Sequence, residues 1–359
     1  MIKEAIITAI NGKDLSADDM EKTMDLVLDG RVASSQIGSL VTALRMKGET
    51  VAEIAGAARA LRKRAVRLDL DNGLLSLGRD DIHVERETVL ATTGAEAGST
   101  RTFNISTATM FIAAAGGVKM VRHGNRAASR YFGAGDVLES LGVNLEISNS
   151  DMEKCIQELG IGFIFKPLMS GPMQNVGAFR EEMGIRTIFN LIAPLINPAG
   201  ASAYVLGVYD PDLTEKMALV LYELGAARAF VVHGERTNDE ISLCGATTIA
   251  RFAAGQVEKQ VIEPEDYGFQ RVGPEAITGG DAAANAKIVR DILGGEQGPK
   301  RDIALLNAAA AFIAAGLDDD FKSGIERAAA TIDSGQAHSK LEALVAFTEQ
   351  CRPFVRKEL

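Results

Sequence analysis

Three short segments carry residue types and spacings that could bind a phosphorylated ligand and a divalent cation. The first is Thr92-Thr93-Gly94-Ala95-Glu96-Ala97-Gly98-Ser99-Thr100, followed by Thr102-Phe103-Asn104-Ile105-Ser106-Thr107. A loop of small residues lets backbone N–H groups approach an anion, and the helix that follows offers unpaired N–H groups at its positive end. Hydroxyls at Ser106 and Thr107, where that helix starts, add donors or a metal ligand. The same residues also fit an ordinary strand–turn–helix connection capped by Thr102 or Ser106. The second segment, Lys119-Met120-Val121-Arg122-His123-Gly124-Asn125-Arg126, with Ser129 and Arg130 beyond it, gathers cations at a strand end. It reads as an anion clamp or as a solvated loop. The third, Thr237-Asn238-Asp239-Glu240, places adjacent carboxylates in a loop. That suits Mg²⁺ when phosphates complete the coordination, and otherwise describes two solvated acids. All three follow predicted strands, and their joint occurrence points to one composite site, because open α/β sheets place ligands at strand ends.

The elements that must position these segments follow from periodicity and caps. Ser16-Ala17-Asp18-Asp19 opens a helix with Met20, Met24, Leu26 and Val27 at helical spacing and Gly30 near its end. Ser34 or Ser35 caps a second helix, which carries Ile37, Leu40, Val41, Leu44 and Met46 before Gly48. Thr50 and Glu53 form a capping box for a third that runs toward Val66. Helices without an intervening strand predict a small helical domain over residues 1–66. Beyond it, Thr88–Ala91, Val118–Val121, Gly162–Phe165, Tyr204–Val208 and Ala229–Val232 read as strands. Helices intervene from about Ser106, over Asp136–Leu141 and over Leu213–Leu224, and the Ala-rich C-terminal region is helical, most clearly at Asn307–Ala315. This alternation predicts a larger α/β domain over residues 67–359, with a mainly parallel central sheet flanked by helices.

Composition bounds the function. The chain has 359 residues, 47% of them hydrophobic, and a formal net charge of −10. Such an apolar fraction excludes a disordered chain. The acidic balance argues against general nucleic-acid binding, yet leaves room for a small phosphorylated ligand held by a few local cations. The longest apolar stretch, Ile105–Val118, is too short to span a membrane, and the N-terminus lacks the pattern of a signal peptide. Cys155, Cys244 and Cys351 are too few and too scattered for a disulfide framework or a metal cluster, so a reducing cytoplasm is expected.

Five motifs in this order make the chain resemble the anthranilate phosphoribosyltransferases along nearly its whole length. They are Thr102–Thr107, His123-Gly124-Asn125-Arg126-Ala127-Ala128-Ser129, Arg186-Thr187-Ile188-Phe189-Asn190, Pro194-Leu195-Ile196-Asn197-Pro198 and Asp239-Glu240. The resemblance implies a Mg²⁺-dependent glycosyltransferase of tryptophan biosynthesis. An aromatic acid, anthranilate or a relative, displaces pyrophosphate from C1 of phosphoribosyl pyrophosphate (PRPP). It also implies a homodimer formed through the helical domain, to which a segment at about residues 170–190 returns. By resemblance, Asn104, Ser106 and Thr107 hold PRPP together with Thr92, Thr93, Gly94, Glu96 and Thr102. Arg122, where the family usually has a Lys, keeps a charge beside the phosphates, and His123, Gly124, Asn125, Arg126, Ser129 and Ala134 complete that site. Ser106, Asp239 and Glu240 would ligate metal, while Thr92, Asn125, Ser170 and Arg180 would face the aromatic substrate. Arg180 suits a bidentate fork to a carboxylate.

The chain departs from the family's pattern in several ligand-facing places. Thr92–Glu96 stands for Gly-Thr-Gly-Gly-Asp, Phe132-Gly133-Ala134-Gly135-Asp136 for Ser-Gly-Ser-Ala-Asp, and Ser170 for a His. Ala193 replaces a Gly, and Lys166 a small residue. Such changes keep two alternatives in view: a paralogue with a different acceptor, and a non-catalytic binding or regulatory protein that retains the fold.

Overall fold

The computed structural model describes residues 1–70, 88–94, 101–124, 126, 133–165, 176–177, 179, 182–196 and 198–351. Four helices open the chain: α1 (Ile2–Ile10), α2 (Ala17–Leu28), α3 (Ser34–Lys47) and α4 (Val51–Arg64). Ser16 caps α2 by accepting the Asp19 N–H at 3.1 Å. The Thr50–Glu53 capping box opens α4 as expected. Glu53 does more than cap: its buried carboxylate also accepts the Leu15 N–H at 2.9 Å and pairs with Lys47 at 3.0 Å, tying three segments of the bundle to one point. The expected serine cap of α3 is a correction. That helix starts one residue earlier, with Ala33 at its N-cap and no side-chain bond, so Ser34 and Ser35 lie inside its first turn.

The chain continues as β1 (Val89–Gly94), α5 (Ile105–Ala115), β2 (Lys119–Gly124), α6 (Ala134–Ser140), α7 (Asn149–Leu159) and β3 (Ile161–Phe165). Next come α8 (Ile188–Ile192), β4 (Ala203–Gly207), α9 (Leu213–Glu223), β5 (Arg228–Gly234), β6 (Thr247–Ala253) and β7 (Gln256–Ile262). Four helices close the described chain: α10 (Ala282–Leu293), α11 (Pro299–Ala315), α12 (Phe321–Asp333) and α13 (Gln336–Gln350). Among the described residues the strands form one seven-stranded sheet of order β3-β2-β1-β4-β5-β6-β7. Strands β1 to β5 run parallel, as the alternation predicts, and β6 and β7 add an antiparallel hairpin that it does not. Thr92, Thr93 and Gly94 belong to β1 itself, which corrects their reading as loop.

Strand alternation sorts the sheet residues between two cores. Leu90, Met120, Val205, Phe230 and Val232 face α5, α11 and the other C-terminal helices, whose Phe111 and Phe312 are fully buried. Each such ring contributes roughly 2–3 kcal/mol of burial. Ala91, Tyr204, Leu206, Ala229 and Val231 face the other way, toward the opening helices and α9. Arg62 of α4 stitches the bundle to the sheet by donating to Leu195 O at 2.9 Å, Leu224 O at 3.0 Å and the Tyr204 hydroxyl at 3.1 Å. Among the described residues, no helix is long and apolar enough to cross a membrane.

Candidate active site

The strand order reverses direction between β1 and β4: from β1 the chain winds outward through β2 and β3, then returns to start again at β4. Parallel sheets open a crevice at such a switch point, at the carboxyl ends of the strands. Here the crevice is a cavity lined by Thr92 and Gly94 of β1, Arg122 of β2, Val205 and Gly207 of β4, Ser106 and Thr109 of α5, Asn307 of α11, and Asp239 and Glu240. The strand residues among these share the parity of Leu90, Met120 and Val205, so the cavity lies on the face covered by α5 and α11.

Two glycines make room for the acidic pair. Register places Gly94 beside Gly207. A Cβ on Gly94 would stand 2.2 Å from Asp239 Oδ2, and one on Gly207 would stand 1.9 Å from Asp239 O. Asp239 therefore lies across the strand ends at a distance that only hydrogen atoms permit. The loop that carries it leaves β5 at Gly234, whose N–H donates to Asn238 O at 2.8 Å. Arg236 and Asn238 adopt left-handed backbone, with φ of 67° and 58°. The buried Thr237 hydroxyl donates to Glu240 O at 2.8 Å. From the other side, Asn307 Oδ1 accepts the Ile241 N–H at 2.9 Å and Asn307 Nδ2 donates to Ile241 O at 3.0 Å.

The electrostatics of the cavity are unbalanced. Burial and the adjacent Asp239 carboxylate push Glu240 up to about 8, although the Ser106 hydroxyl and N–H both donate to it. Burial also raises Asp239, against the pull of Arg122, Arg186 and His233. Burial lowers Arg122, while the two carboxylates hold it up. The Arg122 guanidinium donates to Thr107 Oγ1 at 3.3 Å, and its buried Nε has no hydrogen-bond partner among the described residues. Thr109 Oγ1 is in the same position. Buried donors and acceptors left this way are destabilising until a ligand satisfies them. Two adjacent carboxylates and the Ser106 hydroxyl are hard oxygen donors that could hold a divalent cation. Among the described residues no cluster of three His, Cys, Asp or Glu closes a metal centre by itself, which suits a Mg²⁺ ion whose remaining ligands are water and ligand phosphate oxygens.

Other residues singled out in the sequence lie around this cavity rather than in its lining. Asn104 is the N-cap of α5, and its Oδ1 accepts from Asn285 Nδ2 at 2.9 Å. Thr102 forms an isolated bridge with Thr278. Thr107 and His123 are buried, and Gly124 lies so close to Phe163 that a Cβ would approach its ring to 2.8 Å. Ala134 packs on Gly124 as the first residue of α6. Arg126 pairs with Glu139 at 2.5 Å and Glu146 at 2.9 Å, and its guanidinium stacks over Phe165. Glu96, Asn125, Ser129, Ser170 and Arg180, and the side chain of Thr93, lie outside the described residues. Sequence reasoning missed Thr109, Gly207 and Asn307 as lining residues and Asn285 as the partner of Asn104.

Comparison with known proteins identifies the family. Residues 89–338 match the glycosyl transferase family a/b domain, and residues 3–65 match the helical bundle domain of that family. The anthranilate phosphoribosyltransferase of Geotalea uraniireducens is 49% identical over 98% of this chain and 100% of its own length. The chain belongs to the anthranilate phosphoribosyltransferase family. The Trichlorobacter lovleyi member is 48% identical over 97% of this chain and all of its own. Among solved structures, the family member from Thermus thermophilus superposes with a TM-score of 0.85 at 38% identity, covering 96% of this chain and 99% of that one. The Saccharomyces cerevisiae enzyme, solved in complex with PRPP and Mg, shares the fold at a TM-score of 0.83 and 24% identity, over 97% of this chain and 98% of that one.

Proposed function

We propose that this protein transfers the phosphoribosyl group of PRPP to anthranilate and releases pyrophosphate. The observation that carries the reading is the cavity at the switch point, where a half-buried carboxylate pair shares the lining with the Arg122 guanidinium, whose buried Nε has no partner among the described residues. Such a site asks for a cation and a polyanion together. The named relatives supply the acceptor: family members 49% identical to this chain are anthranilate phosphoribosyltransferases. In the reaction the C1–O bond to pyrophosphate breaks, the C1–N bond to the amine forms, and the amine loses a proton. Asp239, Glu240 and Ser106 would hold Mg²⁺, which when bound neutralises the leaving pyrophosphate. Arg122 donates to phosphate from β2, and the α5 start with Asn104, Ser106 and Thr107 orients the ribose phosphate. Thr92, Thr93, Gly94, Glu96, Thr102, His123, Gly124, Asn125, Arg126, Ser129 and Ala134 are assigned to the same ligand, and Thr92, Asn125, Ser170 and Arg180 to the aromatic acid.

The test is pyrophosphate release from PRPP and Mg²⁺ with anthranilate, other aromatic acids and aniline as acceptors. Release that depends on anthranilate, with aniline rejected by orders of magnitude and Arg180→Ala losing that preference, is expected. Equal use of aniline and anthranilate, or release with none, refutes the reading. We further propose two units, residues 1–66 with the segment at 170–190 and residues 67–359, and a homodimer through the first. Ile7, Ile10 and Met46 support it, being 58%, 66% and 84% exposed on α1 and α3. The free cysteines suit a reducing cytoplasm.

A further inference from the structure

We propose that Asn307 is a positioning residue for the acidic pair: from α11 it clamps the backbone N–H and C=O of Ile241 and so fixes where the Asp239 and Glu240 carboxylates stand. The inference rests on the reading of that pair as metal ligands. Asn307 is 3% exposed and is followed by Ala308, Ala309, Ala310 and Ala311, each fully buried. A carboxamide in such surroundings is tolerated only when its polar atoms are paired. Here Oδ1 accepts the Ile241 N–H at 2.9 Å, while Nδ2 donates to Ile241 O at 3.0 Å and to Ile303 O at 2.8 Å. Engaging the N–H and the C=O of one residue holds the two successive peptide units that flank Ile241, the first of which joins it to Glu240. The third bond anchors the amide to its own helix, so the clamp is rigid.

Other contacts hold the same loop. Thr237 Oγ1 holds Glu240 O from the preceding side at 2.8 Å. Gly207 lies directly beneath, with no space for a Cβ. The left-handed backbone at Arg236 and Asn238 is unfavourable for side-chain-bearing residues and persists where surrounding contacts over-determine it. The pair therefore sits between two clamps, and Asn307 is the one supplied by a distant element, 66 residues away in sequence.

The experiment uses the full chain with Mn²⁺ as the probe, read by electron paramagnetic resonance in the presence of pyrophosphate, beside the Mg²⁺ dependence of transfer. Asn307→Leu keeps the approximate volume and removes the clamp. The expected result is a rise of about tenfold or more in half-saturating Mn²⁺ and in the Mg²⁺ needed for half-maximal rate, the size seen when partners that orient metal ligands are lost. The KM for anthranilate should stay within about twofold, because the clamp touches no acceptor. Leu305→Ala, a core truncation on the same helix, should lower stability without moving either metal midpoint. If Asn307→Leu does not fold, Asn307→Ser takes its place, with a smaller shift in the same direction. An unchanged Mn²⁺ midpoint in a folded Asn307 variant, or an equal shift in Leu305→Ala, overturns the proposal. The double variant Asp239→Asn/Glu240→Gln separates the two readings. Should it bind Mn²⁺ and pyrophosphate as the parent does, the metal assignment falls and the clamp with it; should it lose binding that Asn307→Leu retains, only the clamp falls.

Discussion

Replacing Glu240 by Gln should stabilise the metal-free protein and abolish transfer, and the cavity sets the size of both effects. Burial and the Asp239 carboxylate push Glu240 up to about 8 from an ordinary 4.5. At pH 7 the folded state therefore keeps a proton that the unfolded chain has released. The stability this group contributes is full below pH 4.5 and is lost as pH rises toward 8. Between 4.5 and 7 the loss is about 3 kcal/mol, at about 1.36 kcal/mol per unit. Solvent at the cavity mouth screens part of it and leaves about 2 kcal/mol. Gln has nearly the same shape, still accepts from Ser106, and never ionises. For a chain of 359 residues, an unfolding entropy of about 2.1 cal/mol/K per residue converts that gain into a Tm rise of about 3 °C.

Thermal melts in chelator should show that gap at pH 7 and its closure by pH 4.5. Activity should move the other way. In its proposed role as a Mg²⁺ ligand, Glu240 contributes several kcal/mol of charge stabilisation, so kcat/KM of the variant should fall on the order of 10³-fold. Mg²⁺ with pyrophosphate should raise the parent's Tm and leave that of Glu240→Gln nearly unmoved, because only a ligand bound by the native state stabilises it. A Tm gap independent of pH, or turnover within a few-fold of the parent, would refute the reasoning.

Gly207→Ala places a Cβ 1.9 Å from Asp239 O, so it should displace the acidic loop and lower the transfer rate about 100-fold with the far-ultraviolet spectrum unchanged. Arg62→Met removes the bonds to Leu195 O, Leu224 O and the Tyr204 hydroxyl, and a urea melt should show a loss of roughly 2–4 kcal/mol. Ile10→Glu puts a charge on the exposed face of α1, and light scattering at micromolar concentration should show a dimer for the parent, as proposed, and a monomer for the variant.

Local signals made most of the fold legible. The Thr50–Glu53 box, the Ser16 cap and the apolar runs of β1 to β5 each act within a few residues of themselves. The hairpin of β6 and β7 was hidden for two physical reasons. Its turn is Ala254-Gly255, with φ of 49° and 82°, a left-handed pair in which an alanine occupies a place usually given to Asn, Asp or Gly. Its second strand, Gln256–Ile262, is an edge strand exposed along most of its length, so it carries no buried-strand pattern to find. Helix α7 did advertise itself, through the Ser148 cap on the Asp151 N–H and the left-handed Gly160, but its sequence is polar enough to pass for a loop.

The site divides along the same line. Ser106, Arg122, Asp239 and Glu240 were legible because their residue types announce phosphate and metal chemistry, and the cavity gathers all four. Gly207 and Asn307 announce nothing of the kind. Gly207 matters only once the sheet register sets it beside Gly94 under Asp239, and Asn307 only once α11 packs against the loop after β5. A rule of satisfaction would still have flagged the asparagine. An amide preceding a run of alanines in a helix destined for the core must find partners, and a helix that has already paired its own backbone has few to offer. Asn285 obeys the same rule: its Oδ1 accepts the Gly280 N–H at 2.7 Å, and its Nδ2 donates to Asn104 at the N-cap of α5. The C-terminal helices thus hold both the start of α5 and the acidic loop through buried amides, without contributing any recognisable motif. Polar residues stranded in apolar helices therefore locate the support of a site, as the charged motifs locate the site itself.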